Sequence, residues 1–356
     1  MRCPVGFWSL GLLSVALMGA CTRKDERSNL VPAPIPIWMG SLAVDGDKWT
    51  AVGTRGAGRD ARVVLMTGTS TRHESSALID RPGYTSRDLA TFGERLMVVG
   101  AHATEAGGAL GHPLYEAYAM QLGEGAQIEK LSVRGEPGTT SWRSVRSLDD
   151  GWVFAGSDNG RSWVLCQTST ATRWEHRWPD IDRIHGIAAV GQGPDALFGL
   201  LGEKGPITRG QAIFRAVDAS GRVRWSWSAA SSAQLTIVER LPGYGWALAG
   251  HDQGRGFIVA IDKGGEPRWQ WRAPTRQDAG ASSASSRVSA LAANTAGRLL
   301  VTLAHPFAMG DASRPTLLIL SSESMSSAKT ESDQPIRLGA SGTRAQIWKA
   351  ASLPQG

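Results

Sequence analysis

The sequence predicts an all-β fold, a β-propeller of about six, or alternatively seven, four-stranded antiparallel blades. A short apolar strand that ends in glycine and is followed by a polar turn recurs about every fifty residues, a period typical of propellers or solenoids. Turns rich in Gly, Asn and Asp separate short β-type runs between these markers, and no long amphipathic helix is apparent. The 356 residues include 43 Gly and 14 Trp, which suits short strands anchored by indole rings.

The marker is found in five copies and in a sixth, degraded one. The copies end at Gly53, Gly100, Gly156, Gly199 and Gly250, and the degraded copy covers 300–303. In the third unit the sequence predicts four strands, at 141–148, 151–156, 163–168 and 173–178. Further strands are expected near 316–320 and 336–338. Residues 345–353 repeat the pattern of 35–42, so we expect them to close a six-unit ring; the alternative is a seventh blade that has lost its remainder.

Two units share a longer pattern in which Asp-x-x-Gly precedes a tryptophan, as in AVDASGRVRW at 216–225 and IDKGGEPRW at 261–269. This pattern resembles bacterial propeller repeats of the PQQ-like and related families. The resemblance implies that the Asp and Gly form the turn between the third and fourth strands, and that the Trp packs between blades. The residues concerned are Asp218, Gly221, Trp225, Asp262, Gly265 and Trp269. The resemblance concerns the fold, and we expect no PQQ or other cofactor.

The N-terminus has the features of an export signal. An apolar stretch over 5–18, too short to span a bilayer comfortably, follows a positively charged start and leads into Gly19-Ala20-Cys21. This junction resembles the lipobox of bacterial lipoproteins, although Met18 stands where that family usually has Leu. The resemblance implies cleavage after Ala20 and lipidation of Cys21. The alternative is an ordinary cleaved signal with an incidental cysteine.

The predicted organisation is therefore a lipoprotein signal peptide at 1–20, a charged and then Pro-rich membrane tether at 21–35, and a propeller domain at 36–356. The residue after the cysteine is Thr22 and not Asp. In Gram-negative lipoproteins the absence of Asp at this position favours transfer to the outer membrane. We expect a lipid-anchored protein of the cell envelope that faces the periplasm. Cys166 would be the only free thiol of the mature chain, so no intramolecular disulfide can form.

Two sets of polar residues are expected on one face of the disc. The first set lies where the chain enters the innermost strands, and its guanidinium groups would hold an anionic partner at the mouth of the channel. This set comprises Arg87, Arg143, Arg183, His185, Arg287 and Arg344. The second set, in the turns after the second strands, comprises His102, Asp158, His251, Asp252 and His305. Residues of this second set could in principle gather around a metal ion or an anion. The alternative is that they are ordinary turn residues, because a wide ring does not bring ligands together on one metal ion.

No catalytic motif stands out: there is no Gly-x-Ser-x-Gly, no His-Glu-x-x-His and no Walker loop. The net charge of +6 comes without long basic runs, so we expect no nucleic-acid partner. The sequence favours a monomeric, non-catalytic binding or scaffold module with a membrane anchor and a protein or anionic envelope partner. The alternative is a propeller enzyme of the quinoprotein-dehydrogenase or glycan hydrolase or lyase type.

Overall fold

The computed structural model describes residues 37–45, 48–69, 72–93, 95–107, 113–168, 170–191, 193–205, 210–230, 232–273, 286–293, 298–304 and 316–320. These residues form antiparallel sheets in which the strands follow one another in chain order. Short 3₁₀ turns lie at Gly58–Asp60, Glu124–Ala126 and Gly193–Asp195. In this part of the chain no helix has the length and apolar character needed to cross a membrane.

Five sheets have four strands each. Blade 1 contains β1 (Ile37–Asp45), β2 (Lys48–Arg55), β3 (Arg62–Thr69) and β4 (Arg72–Leu78). Blade 2 contains β5 (Tyr84–Phe92), β6 (Arg95–Gly107), β7 (Pro113–Leu122) and β8 (Ile128–Gly138). Blade 3 contains β9 (Ser141–Leu148), β10 (Gly151–Asp158), β11 (Arg161–Thr168) and β12 (Thr172–His176). Blade 4 contains β13 (Arg183–Val190), β14 (Leu197–Lys204), β15 (Gln211–Asp218) and β16 (Val223–Ser228). Blade 5 contains β17 (Ala233–Leu241), β18 (Gly245–Asp252), β19 (Arg255–Asp262) and β20 (Pro267–Arg272).

A sixth sheet has three strands, β21 (Arg287–Ala293), β22 (Leu299–Ala304) and β23 (Thr316–Leu320). The all-β fold with four-stranded antiparallel blades is confirmed, but the count of six or seven such blades is wrong, because the structure has five. The strand expected at 336–338 and the closing strand expected at 345–353 lie outside the described residues. The sixth sheet also differs from the others in having Leu303 at the position of the marker glycine.

The first strands of successive blades contact one another from β1 to β5, β9, β13, β17 and β21. These strands are therefore innermost, and the fourth strands, which carry most of the exposed side chains, form the rim. Apolar residues of neighbouring blades share continuous cores, as between blades 4 and 5, where Phe214 and Trp246 pack edge to face with ring centroids 5.4 Å apart. Burial on both faces of the blades explains why the central residues of the second and third strands are mostly apolar.

Every first strand contains one β-bulge. The pairing between the first and second strands shifts by one residue at the same position in all six sheets. The residues that the shifts leave unpaired, here called the bulge ring, are Gly40, Arg87, Arg143, His185, Thr236 and Ser289. A bulge bends the strand and turns one side chain out of the regular pattern.

A glycine pairs with the residue just before the bulge in the five four-stranded blades. These glycines are Gly53, Gly100, Gly156, Gly202 and Gly250. A Cβ on Gly100 would lie 1.8 Å from the carbonyl oxygen of Thr85, and one on Gly250 would lie 2.0 Å from that of Gln234. The marker glycine is thus required by close approach of the first strand. In the sixth sheet its place is taken by Leu303, which pairs with Val288.

The fourth marker differs from the prediction. The equivalent residue is Gly202, which pairs with Ile184, and not Gly199. Gly199 is needed for another reason, since a Cβ there would lie 2.5 Å from Nε1 of Trp246 in the next blade. Both sites look alike in sequence because each is a glycine after two apolar residues.

Tryptophans of two fourth strands pack against a turn of the next blade and donate a hydrogen bond to it. Nε1 of Trp174 donates to the carbonyl oxygen of Ala219 (3.1 Å), and Nε1 of Trp225 donates to that of Lys263 (2.8 Å). The turn glycines Gly221 and Gly265 have positive φ angles of 87° and 97°. A Cβ on either would lie less than 3.0 Å from the indole ring that covers it. In blades 4 and 5 the Asp-x-x-Gly turn therefore provides the surface on which the tryptophan of the preceding blade packs.

We expect Gly100→Ala to lower the free energy of unfolding by more than about 2 kcal/mol, because the backbone must move to accommodate a Cβ. Gly243→Ala is the matched control: Gly243 has a φ of 80° but nothing within 4 Å of the added Cβ, so only the left-handed conformation is penalised, by about 1 kcal/mol. Chemical unfolding of both variants measures the difference. Equal losses would contradict a required close approach at the bulge.

Candidate functional site

The predicted polar residues that the structure describes lie on one face of the disc, here called the front face. The first strands begin on this face, and the second strands end on it. Antiparallel order places the start of β9 beside the end of β10, as the pairing of Ser141 with Ser157 shows. Cys21, His305 and Arg344 lie outside the described residues, so their predicted roles stay predictions.

Arg87, Arg143 and His185 occupy the bulge ring in three consecutive blades, and we call these three residues the basic arc. The other three positions of the ring are Gly40, Thr236 and Ser289. Two arginines therefore lie at bulge positions of neighbouring blades, and Arg287 of the predicted set lies apart from them at the start of the first strand of the sixth sheet. The sequence placed these residues in turns, whereas the structure places them within strands, where the bulge sets their position.

Arg87 and Arg143 form no ion pair in the part of the chain that the structure describes. Burial, followed by the positive charges of Arg87 and Arg183, lowers the pKa of Arg143 to about 10, and Glu203 opposes this only in part. Burial also lowers the pKa of Arg87. Arg87 is exposed and Arg143 is half-buried, and neither has a carboxylate partner among the described residues, so their hydrogen-bond donors are available to an anion.

The hydroxyl of Tyr118 adds a polar group beside Arg87. Tyr118 is fully buried, and among the described residues its hydroxyl has no hydrogen-bond partner. Its ring lies over Gly100, with Cε1 3.0 Å from where a Cβ would stand. Burial raises the pKa of Tyr118, so the phenol stays neutral. Because its hydroxyl has no accessible surface, it lies behind the basic arc and is out of reach of a partner.

Arg183 has a different environment. Its guanidinium pairs with Glu203 and donates to the carbonyl oxygen of Gly205 (2.9 Å). Nε2 of His185 lies 3.1 Å from Oε2 of the same glutamate. Burial raises the pKa of Glu203, but the hydrogen bonds and charges of His185 and Arg183 outweigh this and hold it below its usual value. Glu203 therefore neutralises one end of the basic arc.

The turn residues of the second set are each held within their own blade. His102 stacks on Tyr84 with centroids 4.3 Å apart. Asp158 accepts from Oγ1 of Thr140 at 2.9 Å and pairs with Arg177. Asp252 pairs with Nη2 of Arg272 at 2.8 Å.

His251 lies near Arg287 of the sixth sheet. Burial, and then the charge of Arg287, lowers the pKa of His251 and keeps its ring neutral near pH 7. Within the described ranges no group of three or more His, Cys, Asp or Glu is placed to hold a metal ion.

Asp88 is a central residue that the sequence analysis missed. Its carboxylate accepts hydrogen bonds from Oγ of Ser41 (2.6 Å), Oγ of Ser144 (2.6 Å) and Nη1 of Arg146 (2.7 Å), and from two backbone amides. It thereby joins the first strands of blades 1, 2 and 3 directly behind the bulge of Arg87. The sequence around Asp88 does not indicate this role, because the residues that donate to its carboxylate come from distant parts of the chain.

Glu239 is a second missed group, on the first strand of blade 5. Burial, opposed chiefly by Arg146 and reinforced by Asp88, raises the pKa of Glu239 to about 7. The innermost strands thus enclose a small group of charges deeper in the channel than the basic arc.

No protein-family model and no curated protein sequence matches this chain. Among solved structures it is similar to an apocarotenoid oxygenase from Synechocystis, with 10% identity, 83% of this chain and 70% of that chain covered, and a TM-score of 0.50. It is also similar to the β-propeller domain of the Trilobed protease from Pyrococcus furiosus, with 10% identity, 85% and 84% covered, and a TM-score of 0.47. At these identities the likeness concerns the fold alone. The chain is a β-propeller.

We expect Glu239→Gln to remove a pH dependence of stability. Because the folded state raises the pKa from 4.5 to about 7, the folded protein keeps this proton between those pH values while the unfolded chain releases it. Stability therefore falls as the pH rises through that window. At pH 8 the variant should exceed the wild type by about 2 kcal/mol in free energy of unfolding. Chemical unfolding at several pH values tests this, with the exposed Glu266→Gln as control. The same slope in wild type and Glu239→Gln would contradict it.

Proposed function

We propose that this chain is a lipid-anchored β-propeller of the bacterial cell envelope that binds an acidic partner without catalysing a reaction. The observation that carries the proposal is the basic arc, in which Arg87 is exposed, Arg143 is half-buried, and neither has an ion pair within the described residues. Bidentate hydrogen bonds to carboxylate or phosphate groups would satisfy such arginines. The channel mouth is recessed, so a partner protein with a protruding acidic loop fits it better than a partner with a flat acidic surface.

The direction of the chain supports a link between anchor and binding face. β1 begins at Ile37 on the front face, so the segment before it joins the domain on the face that carries the basic arc. A tether over 21–35, fully extended, reaches at most about 50 Å. Under this proposal the front face turns towards partners that lie close to the membrane, and an outer-membrane protein on its periplasmic side is the expected class.

The alternative is a propeller enzyme of the quinoprotein-dehydrogenase or glycan hydrolase or lyase type. It differs in what a purified sample would do: turn over a sugar or an alcohol in the absence of a protein partner. Asp158 and Asp252, the two carboxylates that the sequence proposed for the front face, are each paired with an arginine in the structure.

Charge reversal of the arc should weaken binding of an acidic probe. We expect Arg87→Glu/Arg143→Glu to bind a synthetic decaglutamate peptide at least tenfold more weakly than wild type at low salt, as measured by calorimetry. The matched control, Arg222→Glu/Lys263→Glu, makes the same change in net charge at exposed turns of the opposite face and should bind like wild type. Equal loss in both double variants would mean that net charge alone is responsible, and this would overturn the proposed site.

Lipidation is tested separately. In a Gram-negative host, radiolabelled palmitate should be incorporated into the wild type and the Cys166→Ser control, and both should sediment with the outer membrane. Cys21→Ser should take up no label and appear in the soluble periplasmic fraction, because the thiol is the acylation site and stable anchoring needs several acyl chains. Membrane association and labelling that survive Cys21→Ser would refute the anchor.

A further inference from the structure

A groove of about 240 Å³ opens between blades 2 and 3 on the face opposite the basic arc. The turns from β5 to β6 and from β9 to β10 border it, and these turns lie where the first strands end. We propose that this groove is a docking site for an extended polypeptide segment of a partner protein. The segment inserts one large apolar side chain and carries an acidic residue beside it.

The floor of the groove is apolar. It consists of Met97 and Ala119 from blade 2 and of Trp152 and Phe154 from blade 3, which belong to one core cluster. An inserted apolar side chain would extend this core and remove its own surface from water. The volume lies below the about 300–1,000 Å³ of pockets that enclose a drug-sized ligand, so the groove suits one side chain of a longer chain.

The aromatic rings here are arranged for packing and not for stacking on a sugar. Trp152 is only 9% exposed, and Phe92 meets it edge to face with centroids 6.4 Å apart and an angle of 81° between planes. A sugar ring needs an open aromatic face, which the covered indole does not provide. The exposed part of Phe92, 38% of its surface, instead extends the apolar floor towards solvent.

The walls of the groove differ in charge. Arg95 and Lys130 line the blade 2 wall, both exposed and without an ion pair in the described part of the chain. On the blade 3 wall Asp150 is already paired with Nη2 of Arg173 at 2.5 Å, which leaves Asp149. Glu129, which is bonded to Gln121 on the same wall, offsets one of the two positive charges. The remaining excess of one positive charge on the blade 2 wall is complementary to an acidic residue next to the inserted side chain.

Two amide side chains at the rim can bind a peptide backbone. Gln121 uses its Nε2 to donate to Glu129 (2.7 Å), so its carbonyl oxygen can still accept a hydrogen bond. Gln167 uses its Oε1 to accept from Nη2 of Arg134 (3.3 Å), so its amide group can still donate. One acceptor and one donor at opposite walls match the carbonyl and amide groups of an extended chain.

The test is selection of a random dodecapeptide phage library on the full mature chain. The groove is then altered in two ways: Ser132→Trp fills it from the half-buried rim, and Arg95→Glu/Lys130→Glu reverses the charge of one wall. Thermal unfolding checks that both variants are folded. Selected peptides are synthesised, and their affinities for the wild type, both groove variants and Arg87→Glu/Arg143→Glu are measured by fluorescence anisotropy.

We expect enriched peptides with a large apolar residue next to Asp or Glu. Their affinity should fall at least tenfold in both groove variants and stay unchanged in Arg87→Glu/Arg143→Glu. The proposal is overturned if no peptide is enriched, or if the enriched peptides bind Ser132→Trp as well as wild type. It is also overturned if only the change at the basic arc abolishes binding, an outcome that would leave the proposed function of the front face intact.

Discussion

The structure depends on one repeated close approach between backbone segments. In each complete blade the first strand bulges, and a carbonyl oxygen next to the bulge lies so near a glycine of the second strand that no Cβ fits, as at Thr85 and Gly100. The glycine is therefore fixed, while the bulge residue itself is free to vary. Because this residue is Gly40 in one blade and Arg143 in another, the same backbone device builds the ring and leaves its chemistry open.

Contacts between blades hold the ring together by two further means. At the rim, Trp174 and Trp225 each sit on a glycine turn of the next blade. Near the axis, Asp88 joins three first strands through one carboxylate. A buried carboxylate with this many donors is costly to disturb, since its loss would leave several polar groups without partners. These contacts make the arrangement of the basic arc rigid, which reduces the cost of ordering it on binding.

The two proposed sites lie on opposite faces and would bind their partners through different interactions. The front face offers arginines that have no ion pair among the described residues, whereas the back groove offers an apolar floor with one basic wall. A partner held at one face leaves the other open, which is the arrangement expected of a scaffold that connects two components. Because Arg183 is paired with Glu203, the predicted arginines of the front face that have no ion pair among the described residues are Arg87 and Arg143 of blades 2 and 3 and Arg287 of the sixth sheet.

The sequence by itself determined the all-β class, the repeat and four strands per blade, because these follow from local periodicity and turn chemistry. The turn roles of Asp218 and Gly221 came from the resemblance to known propeller repeats. The sequence did not distinguish Gly199 from Gly202, since only strand register separates them. It proposed Arg87 and Arg143 for the channel mouth, but it could not show that Arg183 is neutralised by Glu203. The sequence did not predict the roles of Asp88 and Glu239 or the presence of the groove. The residues that surround each of them lie far apart in the chain, and only tertiary packing brings them together.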